Sequence, residues 1–536
     1  MSYRKKRVFF FIACFFCVSY SYSDTGCKKS IAIVKDNAVS IYIDSSHIVR
    51  ELEPTFFGFS LDLIAFQKDF WDKEHQRVMP ELIDWLRAFP FAVYRFPGGA
   101  LSNSFNWEKS IGPLSQRSPQ KLVTWQKAFP IQFGFDEYME FVRAVNGNAW
   151  ITLNIYGNLE NEVNPFELSL TSRRWVEYAK HKYPMQPVLR WELGNELYQA
   201  QNSTENSQSP LEFIKDKILD DRSGWSPQKY VNSAIININE ISKSFGDIPF
   251  VALLQDFKRD PFYMYLTLAE YNLAVINKLS PFMSEFVLHP YFDSVGNIYE
   301  DTVQHRLDYI CDNVAKIKQY TIRNYPGLWL TEVAKWPRKD KGQEWNMGWW
   351  RASSLEAGVS VADMIIGASQ IPEVNGAFVH TLASNTGPWA MFHSDKNGHI
   401  YPSIIYWTLR LLREHSQKYL LSTRTISTNL SEYAGGYDVR AASFTNESHT
   451  KYSLWTINRS HQSQHVYFVI EGHGGELLKG TQTYLSNQDI NAINREKKDN
   501  VIPITRQIAI QLDQQGKGVI DLPLNSVDVF DFSLVK

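Results

Sequence analysis

Eight short apolar runs recur between Thr55 and Leu382 and constrain the fold of the chain more than any other feature. They are Thr55 to Leu61, Val93 to Phe96, Trp150 to Ile155, Val188 to Leu193, Phe250 to Leu254, Glu285 to His289, Gly327 to Thr331 and Gly376 to Leu382. Each is short and mostly apolar, the composition of a parallel strand covered on both faces. Between them lie segments with helical spacing, among them "PELIDWLRAF", "FDEYMEFVRAV" and "DYICDNVAKIKQY", and "IIYWTLRLLREH" follows the eighth run. Eight strand-helix units in succession predict the α/β class and a (β/α)8 TIM barrel over residues 55–417.

After Gln417 the texture changes to alternating stretches such as "YDVRAASFT", "KYSLWTIN" and "QHVYFVIEG", bounded by Gly, Asn and Ser. This pattern predicts an antiparallel β-sandwich over residues 418–536. The early segment "IAIVKDNAVSIYID" alternates in the same way. Residues 24–54 are therefore expected to add strands to that distant sandwich, with a free N-terminal hairpin as the alternative.

A chain of 536 residues, 44% hydrophobic, can bury a core of this size. Its formal net charge of -2 supplies no electrostatic attraction for nucleic acid, and the short basic patches at Lys335–Lys341 and Arg495–Lys498 read as solvated loops. Residues 1–23 combine a basic start, an apolar core from about Val8 to Val18 and small residues at Ser21 and Ser23, the pattern of a removed secretory signal. That reading makes the protein exported, periplasmic or secreted, with no membrane span once the signal is gone. Cys14 and Cys17 fall inside the signal, which leaves Cys27 and Cys311; their pairing stays open and they form no zinc framework.

The fourth run ends in "WELGNEL", which sets Asn195 and Glu196 just past the strand, on the face where barrel enzymes carry their chemistry. "GLWLTEVAKW" places Glu332 at the end of the seventh. Two carboxylates brought to one rim suit glycoside hydrolysis, one as acid and one as nucleophile. No H-E-x-x-H, G-x-S-x-G or phosphate-cradling glycine loop points to another chemistry. No metal or organic cofactor is expected, and the expected partner is a carbohydrate substrate. A non-catalytic carbohydrate-binding protein is the competing class, although binding alone needs neither a nucleophile nor an acid.

With these motifs the chain resembles the clan A retaining glycoside hydrolases. "YRFPGGALSNSFNWEKSIGP", Tyr94 to Pro113, is similar to the strand-two signature of the family 51 α-L-arabinofuranosidases, and "VLHPYFD" resembles that family's strand-six His and Tyr. The resemblance implies Glu196 as acid/base and Glu332 as nucleophile. It implies Asn195 as the amide that binds the sugar 2-hydroxyl, Arg95 as the arginine beside the nucleophile, and His289 and Tyr291 as site residues, Tyr291 orienting the nucleophile.

Trp107, inside the strand-two motif, is the stacking candidate, with a core tryptophan as its alternative. Where the arabinofuranosidases carry a Glu after strand one, this chain offers Asp62. "WELGNEL" and "SLD" are closer to the heparanase-like β-glucuronidases of family 79, which share the clan and the fold. His380, Trp389 and His393 either line the sugar site or belong to an ordinary loop.

Overall fold

The computed structural model describes residues 31–33, 39–122, 127–159, 162–199, 225–256, 268–294, 298–323, 325–338, 343–385, 387–395, 397–494 and 499–535. The signal segment, Cys14, Cys17, Cys27 and the basic patch at Arg495–Lys498 lie outside these residues.

Eight parallel strands close into a barrel: Phe57–Ser60, Val93–Phe96, Asn148–Leu153, Val188–Leu193, Phe250–Leu253, Glu285–Leu288, Gly327–Lys335 and Val374–His380. Sequence neighbours pair in order, and the first strand closes the ring against the eighth, with Phe57 opposite Ala377. The first strand begins two residues later than expected, because Pro54 opens a 3-10 turn over Pro54–Phe56. The seventh runs past Thr331 to Lys335, because Ala334 and Lys335 gain a further partner in the short strand Tyr291–Phe292. Glu332 therefore sits inside this strand instead of at its end. Crossover helices start where the sequence supplies caps: Asn164 accepts from the Phe166 amide ahead of Pro165–Lys182, and Ser354 from Ala357 ahead of Leu355–Ser369.

The two-residue period of the strands divides the barrel lumen into layers. Val93, Trp150, Val251, Val287, Trp329 and Phe378 meet as an apolar floor, with Trp150 5.2 Å from both Trp329 and Phe378 between ring centroids. Gly58 completes the floor from the first strand; a Cβ there would lie 2.0 Å from the Phe378 ring, so any side chain would expel it. Two residues further along their strands come Ser60, Arg95, Thr152, His289, Thr331 and His380, which form the polar layer above.

A second body contains a mostly antiparallel ten-stranded sheet with its own apolar core. Strand Val39–Glu51 belongs to it, antiparallel to Tyr419–Ser427 and parallel to Gln464–Ile470. The expected sandwich takes the form of one hydrogen-bonded sheet rolled over on itself. Phe468 and Phe532 lie on strands far apart in that sheet, yet their rings stack at 6.0 Å across the interior. Helix Leu355–Ser369 lies between barrel and sheet, and its buried Asp363 accepts from Arg440 and Arg459 of the sheet. Cys311, on helix Val303–Tyr320, is disulfide-bonded.

Candidate active site

At the C-terminal mouth of the barrel the polar layer converges on Arg95. Its Nε and Nη2 donate to the two oxygens of Glu192 at 2.6 and 2.9 Å, Nη1 donates to Glu332 Oε1 at 2.8 Å, and Nη2 also reaches Asn195 Oδ1 at 2.7 Å. Glu192 further accepts from the floor indole of Trp150 at 2.8 Å and from Thr152 at 3.0 Å. The structure makes it the fully buried anchor of Arg95.

A register shift between Leu330 and Val333 inserts one extra residue into the seventh strand relative to the eighth. Such a bulge re-aims side chains. Here two consecutive residues both reach the site: Thr331 bonds His289 Nε2 at 2.9 Å, and Glu332 meets Arg95 and the Tyr291 hydroxyl, the latter donating to Oε2 at 2.6 Å. The chain leaves the fourth strand through Gly194, at φ +77, and Glu196 itself adopts φ +46, a left-handed conformation uncommon for a non-glycine residue. Asn103 holds this turn from both sides, accepting from the Asn195 amide at 2.9 Å and donating to the Asn195 carbonyl at 2.5 Å. Asn103 lies in the quoted strand-two motif, but the motif alone does not distinguish its clamp from an ordinary loop amide.

Glu196 accepts from His289 Nδ1 at 2.9 Å, Gln199 at 2.9 Å and Tyr198 at 3.3 Å. One oxygen of Glu196 and one of Glu332 lie within 4.8 Å of each other. Two buried polar atoms at this mouth, Asn195 Nδ2 and His380 Nδ1, have no hydrogen-bond partner among the described residues. Buried polar atoms are seldom left unpaired, so both are suited to receive a ligand.

The charges differ across the site. Burial disfavours ionised Glu332, but His289, His380 and Arg95, with the Tyr291 hydroxyl, outweigh it and hold the carboxyl well below its usual range. Glu192, equally buried, is brought down to about 2 by Arg95 and His289. His289, which burial alone would discharge, is raised to about 10 by Glu332, Glu192 and Glu196. His380 goes the other way: burial lowers it and the carboxylates of Glu332 and Asp62 only partly compensate. At about 4 Å two unit charges interact by roughly 4 kcal/mol in a protein-like dielectric. Several such contacts offset the desolvation of a carboxylate.

Glu196, His289 and Glu332 each offer a ligand atom within 4.8 Å of the others. Both His289 nitrogens are hydrogen-bonded and Glu332 faces a guanidinium. A cation entering there would displace those bonds and meet Arg95.

Asp62 caps helix Leu63–Asp69 through Ala65 N at 3.0 Å and contributes its charge to His380. Trp389 packs 5.1 Å from Tyr291 and 5.4 Å from His380, and its indole donates to Lys335 O. His393 stacks on Tyr401. Trp107 is only 5% exposed, stacks on Trp175 at 5.8 Å and donates to Thr171 O, which leaves little ring face for a sugar.

Residues 85–196 match the model of the alpha-L-arabinofuranosidase 1 domain family. The intracellular exo-alpha-(1->5)-L-arabinofuranosidase 1 of Bacillus subtilis (strain 168) is 18% identical over 503 residues, 86% of this chain and 92% of that protein. Alpha-L-arabinofuranosidase C of Emericella nidulans is 25% identical over 133 residues, 23% of this chain and 26% of its own. Among solved structures, the α-L-arabinofuranosidase of Thermotoga maritima in its arabinose complex superposes with a TM-score of 0.73 at 18% identity, covering 93% of this chain and all of that one. The family 51 α-L-arabinofuranosidase of Thermotoga petrophila RKU-1 gives 0.71 at 18%, covering 92% of this chain and all of its own. By these likenesses, and by its barrel and rolled sheet, the chain is similar to the family 51 α-L-arabinofuranosidases.

Proposed function

We propose that the protein is a retaining glycoside hydrolase acting on α-L-arabinofuranosides of plant-type or related oligo- and polysaccharides. The observation that carries this reading is the approach of Glu196 and Glu332 to within 4.8 Å between oxygens. Retaining enzymes hold their carboxyls about 5–5.5 Å apart, whereas inverting ones leave about 6.5–9.5 Å for a water.

The two environments divide the roles. Glu332 is kept ionised by fixed and titratable cations, its side chain 4% exposed, as a nucleophile requires. Glu196, with a side chain 18% exposed against 4% for Glu332, is the carboxyl open to the leaving group and to water. Glu332 attacks the anomeric carbon while Glu196 protonates the leaving oxygen. Glu196 then takes a proton from the water that displaces Glu332 and frees the sugar. Asn195 Nδ2 is available to the sugar 2-hydroxyl, Tyr291 and Arg95 fix the nucleophile, and Asp62 and His380 are available to other hydroxyls.

Residues 1–23 support export through a secretory signal, unlike the B. subtilis relative, which is named intracellular. No helix among the described residues is long and apolar enough to cross a membrane.

A panel of aryl α-L-arabinofuranosides, β-glucuronides, xylosides and galactosides, assayed on the purified chain, tests the reading. Turnover confined to the arabinofuranoside supports it. Strong glucuronide turnover without arabinofuranoside turnover replaces the substrate class and leaves the two carboxylates in place. No turnover of any member supports a binding protein.

A further inference from the structure

The aim of Tyr291 at Glu332 rests on residues far outside the barrel mouth. Tyr291–Phe292 forms a two-residue strand beside Ala334–Lys335, and the chain then turns through Asp293, a buried residue at φ +54. Aspartate is among the few L-residues that visit this left-handed backbone as single residues, and here three elements hold it there. The Asp293 carboxylate accepts from Ser360 Oγ at 2.6 Å, on helix Leu355–Ser369, and from the Tyr433 hydroxyl at 2.7 Å, with Arg459 Nη1 at 3.5 Å. Its carbonyl accepts from Lys335 Nζ at 3.0 Å and Arg338 Nε at 3.2 Å. Tyr433 and Arg459 belong to the rolled sheet body, and Arg459 is itself fixed by Asp363 at 2.6 Å and by stacking 4.2 Å over the Tyr433 ring.

We infer that the sheet body is a working part of the active site: Tyr433 and Arg459, through Asp293, are positioning residues that hold the Tyr291 hydroxyl on Glu332. This rests on the glycosidase reading above. General adhesion between the two bodies is already served by Asp363, which takes Arg440, Arg459 and Tyr437. Asp293 is distinct in lying two residues from the phenol that meets Glu332. A hydrogen bond of 2.6 Å tolerates little displacement before it is lost, and misplacement of a positioned group by about 1 Å can cost about a hundredfold in rate.

A double-mutant cycle tests the brace. Tyr433→Phe removes one hydroxyl and keeps the ring under Arg459; Tyr291→Phe removes the hydroxyl at Glu332. The readout is the second-order rate of covalent labelling by an arabinofuranose-configured cyclophellitol-type epoxide, together with kcat and KM on an aryl arabinofuranoside. Tyr433→Phe is expected to slow labelling by about fivefold to tenfold, with kcat falling and KM little changed. The double variant is expected to label no more slowly than Tyr291→Phe alone, since interacting sites depart from additivity. Ser360→Ala, which takes a different bond from the same carboxylate, should show the same pattern if Tyr433→Phe folds poorly. Additive losses in both cycles, or losses that follow melting temperature alone, would overturn the brace. Absence of labelling in the unaltered protein would instead defeat the arabinofuranoside reading on which the brace rests, and the brace with it.

Discussion

Arg95 and Glu332 meet at 2.8 Å inside the barrel mouth, one from the second strand and the other from the bulge of the seventh. The same guanidinium is held from behind by Glu192, so its charge stays in place whatever happens at Glu332. Glu332→Gln should therefore leave the site folded and able to bind sugar. Turnover of an aryl arabinofuranoside should fall by about 10⁴-fold or more, as expected for loss of a group that acts as part of a unit. Intact-mass analysis after treatment with a mechanism-based trap should show no adduct. An adduct on the variant at the same peptide would remove Glu332 as nucleophile.

Glu196→Ala should separate substrates by leaving group. Poor leaving groups need the proton and should lose about 10²–10⁴-fold in rate, whereas activated aryl glycosides should lose far less in the first step. Azide should restore part of the turnover by replacing the water that Glu196 would deprotonate. Equal losses on both substrate types without azide rescue would place the acid elsewhere.

Asp62 has two duties that two variants divide. Asp62→Ala loses the cap on helix Leu63–Asp69, at a cost of about 1 kcal/mol in stability, as well as any contact with the sugar. Asp62→Asn keeps a capping oxygen and removes the charge beside His380. If Asp62 holds a sugar hydroxyl, both variants should weaken arabinofuranoside turnover by roughly 1.5 to 3 kcal/mol per bond lost, with Asp62→Asn near wild type in melting temperature. Loss of stability in Asp62→Ala with full activity in Asp62→Asn would reduce the residue to a cap.

The barrel was legible because its strands are buried on both faces and read as short apolar runs. Val93–Phe96 and Val188–Leu193 fall where those runs lie. Glu196 and Glu332 stood out as a pair, because either alone reads as well as an ion pair or a loop residue, whereas two carboxylates at matched strand ends do not, and their oxygens do approach within 4.8 Å. The bulge that turns both Thr331 and Glu332 into the site was hidden, since it depends on the register between the seventh and eighth strands. Glu192 was ambiguous for a related reason: alternation places it on one face of the strand but does not say that Arg95 and Trp150 wait on that face. The rolled single sheet was likewise invisible, because alternation fixes which side of a strand is buried and leaves open which strands face each other. Asp293 carries no local signal, and its importance comes from residues 67 and 140 positions away.

Stability should fall at both ends of the pH scale for opposite reasons. Glu192 is held near 2 against an ordinary 4.5, so its contribution is complete above about 4.5 and is lost as pH falls toward 2. His289 is raised to about 10 from 6.5, so its contribution is complete below 6.5 and is lost as pH rises through about 10. Glu192→Gln should lower stability by about 3–5 kcal/mol near neutral pH, by breaking a buried pair from one side, and should flatten the acid limb. His289→Gln should flatten the alkaline limb. Melting curves between about pH 3 and about pH 10 check both; unchanged limbs in the variants would contradict the charge assignment.

The most direct test of the account is the stereochemistry of the first product. In proton NMR of the purified chain with an aryl α-L-arabinofuranoside, the account predicts that the α-anomer of free arabinose appears first and that the β-anomer grows in only by mutarotation. Initial formation of the β-anomer would mean single displacement by water, and would contradict the assignment of Glu332 as a nucleophile working with Glu196.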